Sequence, residues 1–387
     1  MTRAASHSTH NERRGAAAAV MVVSIGVLIG FAALAIDVGV MFDARAELQR
    51  SADAAALAAA NVVLDENRLK ASPNMGEISA NALQQAGIMA ALNPVQMAAP
   101  AVAAADVVVG YLNNPSNLEE PISLNDPNGI NTVRVTLRRD DTINGPINLF
   151  FASIFGRGTA ALSATATATF KDGVTGFRVT STTGNCGLLP FALKVTAWNN
   201  LINRVSPVRD DYTYNQTTKT VSAGGDGIPE LNLYPGSGGT QLPPGNFGTV
   251  DIGASNNSSA DIERQIRYGV SASDLAYFGG ELKLGDDGTI LLNGDTGLSA
   301  GFKDALEAIK GQPRTIPLFS SVSGPGNNSM FTVVGFAGIR IMYVKLTGSM
   351  SSKAVIIQPA YVCDNTAITT SGPGPSYYVY QPVRLSR

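Results

Sequence analysis

The strongest pattern in the chain is a run of uncharged, mainly apolar residues near the start of the sequence. Residues 15–36 read GAAAAVMVVSIGVLIGFAALAI, which is 22 positions without a charge. As a helix this run is about 33 Å long, and the hydrocarbon core of a bilayer is about 30 Å thick. The pattern therefore predicts a transmembrane helix over residues 15–36. No later run is long enough to predict a second span.

The charges that flank this run predict its direction. Arg3, Arg13 and Arg14 precede it with only Glu12 opposing them, whereas Asp37 follows it. Segments rich in Lys and Arg stay in the cytoplasm. We therefore expect residues 1–14 to be a cytoplasmic tail. The rest of the chain is expected in the periplasm or exterior, on a single-pass protein of the inner (cytoplasmic) membrane.

Two other interpretations of residues 15–36 stay open at this point. One is a buried core helix, and the other is a signal peptide cleaved after Ala35, because Ala33 and Ala35 fit the small-x-small cleavage pattern. Signal peptides usually have an apolar region of about 7–15 residues, which is shorter than this run. The length therefore favours a retained anchor.

Two glycines inside the predicted span suggest a packing surface. Gly26 and Gly30 form a GxxxG pair, which lets two helix backbones approach closely in lipid. The alternative is that they reflect only the general frequency of glycine in membrane helices. We predict a helix–helix contact at Gly26 and Gly30.

The residues that follow the span also have a helix-forming pattern. Residues 37–70 lack proline and are rich in alanine, the best helix former. We predict one helix of about 55 residues, unless Gly39 bends it. Its apolar stripe is mostly alanine and fits either the chain's own domain or an assembly surface. The stripe consists of Met41, Ala44, Leu48, Ala52, Ala55, Ala59 and Val62.

The remaining chain predicts an α+β fold. Residues 71–170 are predicted as a small α+β module, in which the apolar segment 146–155 forms a short buried helix closed by Gly156. Residues 171–387 are predicted as a mostly antiparallel β domain with few helices. Strands are predicted at residues 106–111, 132–137, 161–170, 175–181, 188–196, 315–320, 330–336, 339–346 and 353–362.

Composition narrows the classes of function. Charged residues make up 15 % of the chain and the net charge is −2, so there is no basic excess to bind nucleic acid. The two histidines, His7 and His10, lie in the tail, which excludes a Ser-His-Asp triad or a His-ligated zinc site in the main body. The acidic segments at 286–288 and 293–295 are typical of hairpin turns rather than calcium loops. We expect no catalytic residues, no cofactor and no metal.

The chain contains two cysteines, Cys186 and Cys363, each beside a predicted strand. In an oxidising compartment they can form a disulfide across the β domain, and we predict this bridge from the topology inferred above. Two buried free thiols are the alternative.

The segment from residue 15 to residue 60 is similar to the N-terminal module of TadG-like proteins of the Tad (Flp) pilus-assembly machinery. The agreement covers about 50 residues closely, and a looser resemblance continues over residues 143–170. The residues that carry it, in this order along the chain, are Gly15, Asp37, Gly39, Arg45, Leu48, Asp53 and Leu57.

This resemblance implies a membrane-anchored, structural component that assembles or anchors a pilus. Its implied partners are other pilus-assembly or pilin proteins, with homo-oligomers possible. Some relatives carry a metal-binding DxSxS loop, but Gly253 replaces the first serine after Asp251. True pilins usually have Glu five residues after the cleavage glycine, where this chain has Val20. A minor pilin-like subunit and a surface adhesin on the same anchor remain the alternative functions.

Overall fold

A computed structural model describes residues 9–125, 129–205, 208–233, 246–254, 257–296, 300–349, 352–370, 372 and 374–386. The chain divides into two compact units that interleave along the sequence. The first unit contains Met1–Ala59, Leu83–Val108 and Arg134–Thr167. The second unit contains Ala60–Ala82, Val109–Val133 and Ala168–Arg387. The predicted domains, 71–170 and 171–387, stay a prediction.

One unbroken helix, α1, runs over Thr9–Asn61 and confirms that the span and the alanine-rich segment form a single element. Gly39 does not interrupt it. The helix ends before the predicted residue 70, and a 3-10 turn over Glu66–Leu69 follows. The Asp65 carboxylate accepts a hydrogen bond from the Asn67 backbone N–H (2.8 Å). This side chain caps the 3-10 turn, and a short polar side chain of this kind favours a turn over continued α-helix at residues 65–69.

The two parts of α1 differ sharply in burial. From Ala17 to Ile36 nearly every side chain is exposed, whereas one face of the helix beyond residue 43, made mainly of alanines, is buried. Within the described residues, α1 is the one helix long and apolar enough to cross a bilayer, and no residue of its most apolar window is buried. The buried positions on this helix are Asp37, Ala44, Leu48, Ser51, Ala52, Ala55, Ala56, Ala59 and Ala60.

The alanine stripe packs inside the first unit. A second helix, α2 (Met75–Ala91), buries Ala86 and Ala90. The Ser51 hydroxyl donates to the Ala90 carbonyl oxygen at 3.3 Å, which ties α1 to α2. Small side chains let two helix backbones approach closely. The stripe therefore serves the chain's own fold, one of the two interpretations that the sequence left open.

The first five strands follow α2. They are β1 (Val107–Gly110), β2 (Thr132–Arg139), β3 (Ile147–Asn148), β4 (Thr159–Ala160) and β5 (Leu162–Lys171). Strands β3 and β4 form a short antiparallel pair, with Ile147 opposite Ala160. Alternation of Ala with Ser and Thr predicted β5, and the structure confirms that strand.

The second unit consists mainly of β-strands. Its helices are α3 (Val195–Ile202), α4 (Ser259–Tyr268), α5 (Ala272–Ala276) and α6 (Lys303–Ala308). Its strands are β6 (Val174–Arg178), β7 (Leu193–Lys194), β8 (Tyr212–Asn215), β9 (Thr220–Ala223), β10 (Leu231–Asn232), β11 (Asn246–Val250), β12 (Glu281–Lys283), β13 (Ile290–Thr296), β14 (Pro313–Ser323), β15 (Met330–Lys345), β16 (Ala354–Pro359), β17 (Val362–Cys363), β18 (Ala367–Thr369) and β19 (Val379–Leu385).

The sheets are mostly antiparallel, which confirms the predicted α+β class. The larger sheet has the order β10-β16-β15-β13-β11, with β14 also paired to β15 and β7 paired in parallel to β14. A five-stranded sheet has the order β1-β2-β5-β19-β17. A three-stranded sheet has the order β12-β6-β18.

Two apolar clusters form the core of the second unit. Trp198 is fully buried in one of them, with Leu201, Phe302 and Leu306 as neighbours in the cluster. The other contains two edge-to-face ring pairs, Phe177–Phe336 (5.0 Å between centroids) and Phe319–Phe331 (4.9 Å). Such contacts add stabilisation beyond the area buried. The single tryptophan is thus a core residue.

Candidate functional site: the membrane end of the long helix

Asp37, the first charged residue after the apolar run, is buried and holds a distant loop against α1. Only 3 % of the residue is exposed. Its Oδ1 accepts a hydrogen bond from the Phe150 backbone N–H (2.8 Å), and its Oδ2 accepts from the backbone N–H groups of Phe151 (3.0 Å) and Ala152 (2.6 Å). Hydrogen bonds to an ionised group are stronger than neutral ones. This carboxylate therefore fixes a segment 113 residues away in the sequence.

The segment that Asp37 holds is a tight loop at the tip of the β3–β4 pair. A 3-10 turn over Ala152–Phe155 begins at the carboxylate, which satisfies donors that the turn itself leaves unpaired. Gly156 ends the turn in the left-handed region (φ +79°). The Leu149 N–H donates to the Gly158 carbonyl oxygen at 2.9 Å and closes the base of the loop.

The prediction of a short buried helix at residues 146–155 is wrong. The segment forms β3 and the 3-10 turn, and three of its large apolar side chains face outward. The exposed fractions are 68 % for Phe150, 76 % for Ile154 and 84 % for Phe155. The apolar composition predicts that these side chains are buried within the protein, but the described part of the chain leaves them exposed.

The predicted packing glycines lie on the exposed part of α1. Nothing in the described chain comes within 4 Å of a Cβ placed at Gly26 or Gly30. Gly39 is equally open, so its small size is not needed for a contact inside this chain. Gly15 lies in the same helix, close to its start.

The other residues of the predicted motif serve different roles. Leu48 is fully buried in the helix stripe, and Leu57 is half-buried. Asp53 accepts a hydrogen bond from the Gln49 side-chain amide at 2.8 Å, and that amide also donates to the Thr165 carbonyl oxygen on β5 at 3.2 Å. Arg45 is exposed. The motif thus combines residues that build the first unit with residues that this unit leaves accessible.

The contact between Glu47 and Gln96 is not predicted by the sequence. The Glu47 carboxylate accepts a hydrogen bond from the Gln96 backbone N–H at 2.6 Å. Gln96 and Met97 follow α2 and have positive φ (47° and 63°), a backbone conformation in which non-glycine residues are uncommon. A charged acceptor stabilises this turn, and no pattern in the sequence links two residues so far apart.

Asp251 and Asp287, two acidic residues of the second unit, form hydrogen bonds within loops and turns. The Asp287 carboxylate accepts from Thr289, and the Asp251 carboxylate accepts from the Asn257 N–H and from the Asn293 amide. Burial raises the pKa of Asp251. Within the described ranges, no group of three or more His, Cys, Asp or Glu side chains is placed to hold a metal ion.

The predicted disulfide is not confirmed. Cys186 is a buried free thiol and Cys363 an exposed free thiol. Burial raises the pKa of Cys186 well above its ordinary value. Asp364 Oδ2 accepts a hydrogen bond from the Gly187 N–H at 3.1 Å, so the residues next to the two cysteines touch each other.

Family models match the N-terminal part of the chain. Residues 15–62 match the Tad family model, which describes TadE/G-like Flp pilus-assembly proteins. Residues 43–168 match a second model, which describes a Tad-like Flp pilus-assembly domain. No curated protein and no solved structure matches the chain. The two models together cover most of α1, the loop held by Asp37 and most of β5. Residues 15–168 thus match the N-terminal module of TadE/G-like Flp pilus-assembly proteins, and together with the exposed apolar helix this match supports a membrane-anchored component of that machinery.

Proposed function

We propose that this protein is a structural, non-catalytic anchor of the pilus machinery in the inner membrane, with its N-terminus in the cytoplasm. The observation that carries the proposal is the continuity of α1. The same helix has an exposed apolar half and a buried alanine-rich half. No flexible linker separates the lipid-spanning part from the first unit, so a partner that binds the span also holds the folded unit in place.

The contact with partners in the membrane is proposed at Gly26 and Gly30. Both glycines are open to an approaching helix. Lipid supplies no hydrophobic drive for helix association, so close van der Waals packing at small residues must supply the affinity. Partners of matching chemistry are the transmembrane helices of other pilus-assembly or pilin proteins, or a second copy of this chain.

The double substitution Gly26→Leu and Gly30→Leu is expected to reduce recovery of co-purifying membrane proteins and to lower the number of pili. Two leucine side chains keep the helices apart by several ångströms and remove the close packing. The measurement is affinity purification of the full-length protein from native membranes, followed by mass spectrometry and a count of pili by electron microscopy.

The matched control is Ala18→Leu with Ala32→Leu. Helical geometry of about 100° per residue places these two alanines on a different side of α1 from the glycine pair. The control adds comparable bulk and apolarity to the span, since each leucine replaces a residue no larger than alanine. Equal recovery of partners from both variants, with normal piliation, would contradict the proposed docking role of the glycines.

The orientation and the proposed disulfide are tested together through Cys363. A membrane-impermeant maleimide applied to spheroplasts is expected to label Cys363 only after an impermeant reductant is added, because an oxidising compartment favours the bridge. Desolvation raises the pKa of Cys363 to about 11, so labelling is slow and is compared with a lysed, unfolded reference.

The other outcomes separate the two claims. Labelling without reductant would mean that the domain lies outside the cytoplasm with free thiols, which contradicts the bridge. Labelling only after lysis would place the domain in the cytoplasm and contradict the orientation.

A further inference from the structure

The loop over residues 149–155, referred to below as the apolar loop, exposes a patch that the family function does not explain. Phe150, Ile154 and Phe155 are mostly exposed, and no charged residue occurs between Asp141 and Arg157. Contiguous exposed apolar surface of this kind marks a site that contacts a membrane or another protein.

The position of the apolar loop along α1 identifies what covers it. Side chains on a helix tilt toward its N-terminus, so the Asp37 carboxylate lies beside the turn that precedes residue 37. That turn is the last one of the uncharged run. Because the Ala152 backbone nitrogen is 2.6 Å from the carboxylate, the loop lies at the depth where the span leaves the hydrocarbon. The apolar patch and the span are therefore contiguous within the first unit.

Many backbone N–H groups of the apolar loop form hydrogen bonds within the protein, which suits a medium that contains little water. An unpaired N–H or C=O costs several kcal/mol in hydrocarbon. Asp37 accepts from three of the loop's N–H groups, and the Ile154 and Gly156 N–H groups donate to carbonyl oxygens of Phe151 and Ser153. The Ser153 hydroxyl donates to the Phe150 carbonyl oxygen at 2.7 Å. Polar groups are thus paired inside while the apolar side chains point outward.

We propose that the apolar loop inserts into the interfacial layer of the leaflet from which α1 emerges and forms a second contact with the lipid bilayer. Phenylalanine and other apolar side chains bind favourably at the boundary between headgroups and acyl chains. Arg157, exposed at the end of the loop, lies where it can meet lipid phosphates. A second contact point restricts the tilt of the first unit relative to the membrane. The inference rests on the membrane span of α1.

The test measures the lipid contact of a tryptophan placed on the loop. Phe155→Trp is prepared in the full-length protein and reconstituted as a single copy in nanodiscs of phosphatidylcholine, in which one fraction of the lipid is brominated near the glycerol end of the acyl chains and another near their methyl end, so that both the interface and the middle of the bilayer contain quencher. Wild-type protein, which contains only the buried Trp198, supplies the background emission. We expect the added emission to be blue-shifted and strongly quenched by the brominated lipid.

Two further variants make the result decisive. Val27→Trp lies in the middle of the span and must be quenched if α1 is in the bilayer. Leu92→Trp is the matched control, because Leu92 is apolar, 70 % exposed and in the first unit. It follows α2 near Ala90, which contacts Ser51, about 21 Å along α1 from Asp37. Its emission is expected to be red-shifted and unquenched.

Each outcome decides the question. Quenching at residue 155 close to that at residue 27, with none at residue 92, supports the lipid contact. Quenching at residue 27 alone overturns the proposal and leaves the anchor intact. A blue-shifted but unquenched signal at residue 155 means that protein covers the loop, which also overturns it. Absence of quenching at residue 27 overturns both the span and the loop.

Discussion

Asp37→Ala is expected to release the apolar loop from α1 and to destabilise that contact by about 3–5 kcal/mol. The substitution removes the acceptor of three backbone N–H groups, at about 1–3 kcal/mol for each donor left unpaired and partly compensated by water. Hydrogen exchange of the peptide that covers residues 149–157, followed by mass spectrometry on the full-length protein, measures the effect. At 1.4 kcal/mol for each factor of ten, exchange should accelerate about 100-fold or more.

The control for this substitution is Asp43→Ala. Asp43 lies on the exposed side of α1, less than two turns away. Its removal changes the charge near the membrane by the same amount without touching the loop. If the amides of residues 149–157 exchange at the wild-type rate in both Asp37→Ala and Asp43→Ala, the hydrogen bonds of Asp37 do not hold the loop. Asp37→Asn keeps one acceptor oxygen and should give an intermediate rate.

Glu66→Ala is expected to destabilise the second unit by about 3–5 kcal/mol, because it leaves the buried Arg340 guanidinium without its counter-charge. Arg340 is 2 % exposed and forms a hydrogen-bonded ion pair with Glu66. Its Nε donates to the Gly311 carbonyl oxygen at 2.7 Å, and its guanidinium lies 3.5 Å from the Tyr214 ring centroid. Urea unfolding followed by Trp198 fluorescence reports the loss, since Trp198 is fully buried in the core of the same unit.

Two comparisons establish the cause. Glu281→Ala breaks the pair between Glu281 and Arg178, whose side chain is 61 % exposed, and should cost less than about 1 kcal/mol. The double variant Glu66→Met with Arg340→Met should recover much of the stability, because apolar residues can replace a buried ion pair. Equal urea midpoints for Glu66→Ala and Glu281→Ala would contradict the assignment.

The sequence predicts the elements that depend on local properties. Absence of charge predicts the span, and high helix propensity with an alanine stripe predicts its extension, because both properties are read within a few turns. The same local properties identify the motif residues from the sequence. The roles of these residues cannot be predicted locally, since Asp37 acts on a segment more than a hundred residues away.

The failures have a common physical origin in non-local contacts. The apolar loop reads as core, because composition does not tell whether protein or lipid surrounds a residue. Residues 330–336 and 339–346 are predicted as two strands, yet residues 330–345 form the single strand β15. A Cβ at Gly338 would collide with the carbonyl oxygens of Ala360 and Tyr378, so this glycine permits close backbone approach rather than ending the strand. The Glu66–Arg340 pair joins residues 274 apart.

The interleaved segments of the first unit set an order for its biogenesis. Its helix α1 is complete when Asn61 has been synthesised, but β5, which contacts that helix through Thr165 and Gln49, comes about a hundred residues later. The partner helix α2 follows within about 30 residues, but at translation rates of about 5–20 residues per second the side of α1 that meets β5 waits roughly 5–20 s for that strand. A ridge of methyl groups exposes little apolar area during this delay, so the choice of alanine over leucine limits aggregation of the nascent chain as well as permitting close packing in the finished fold.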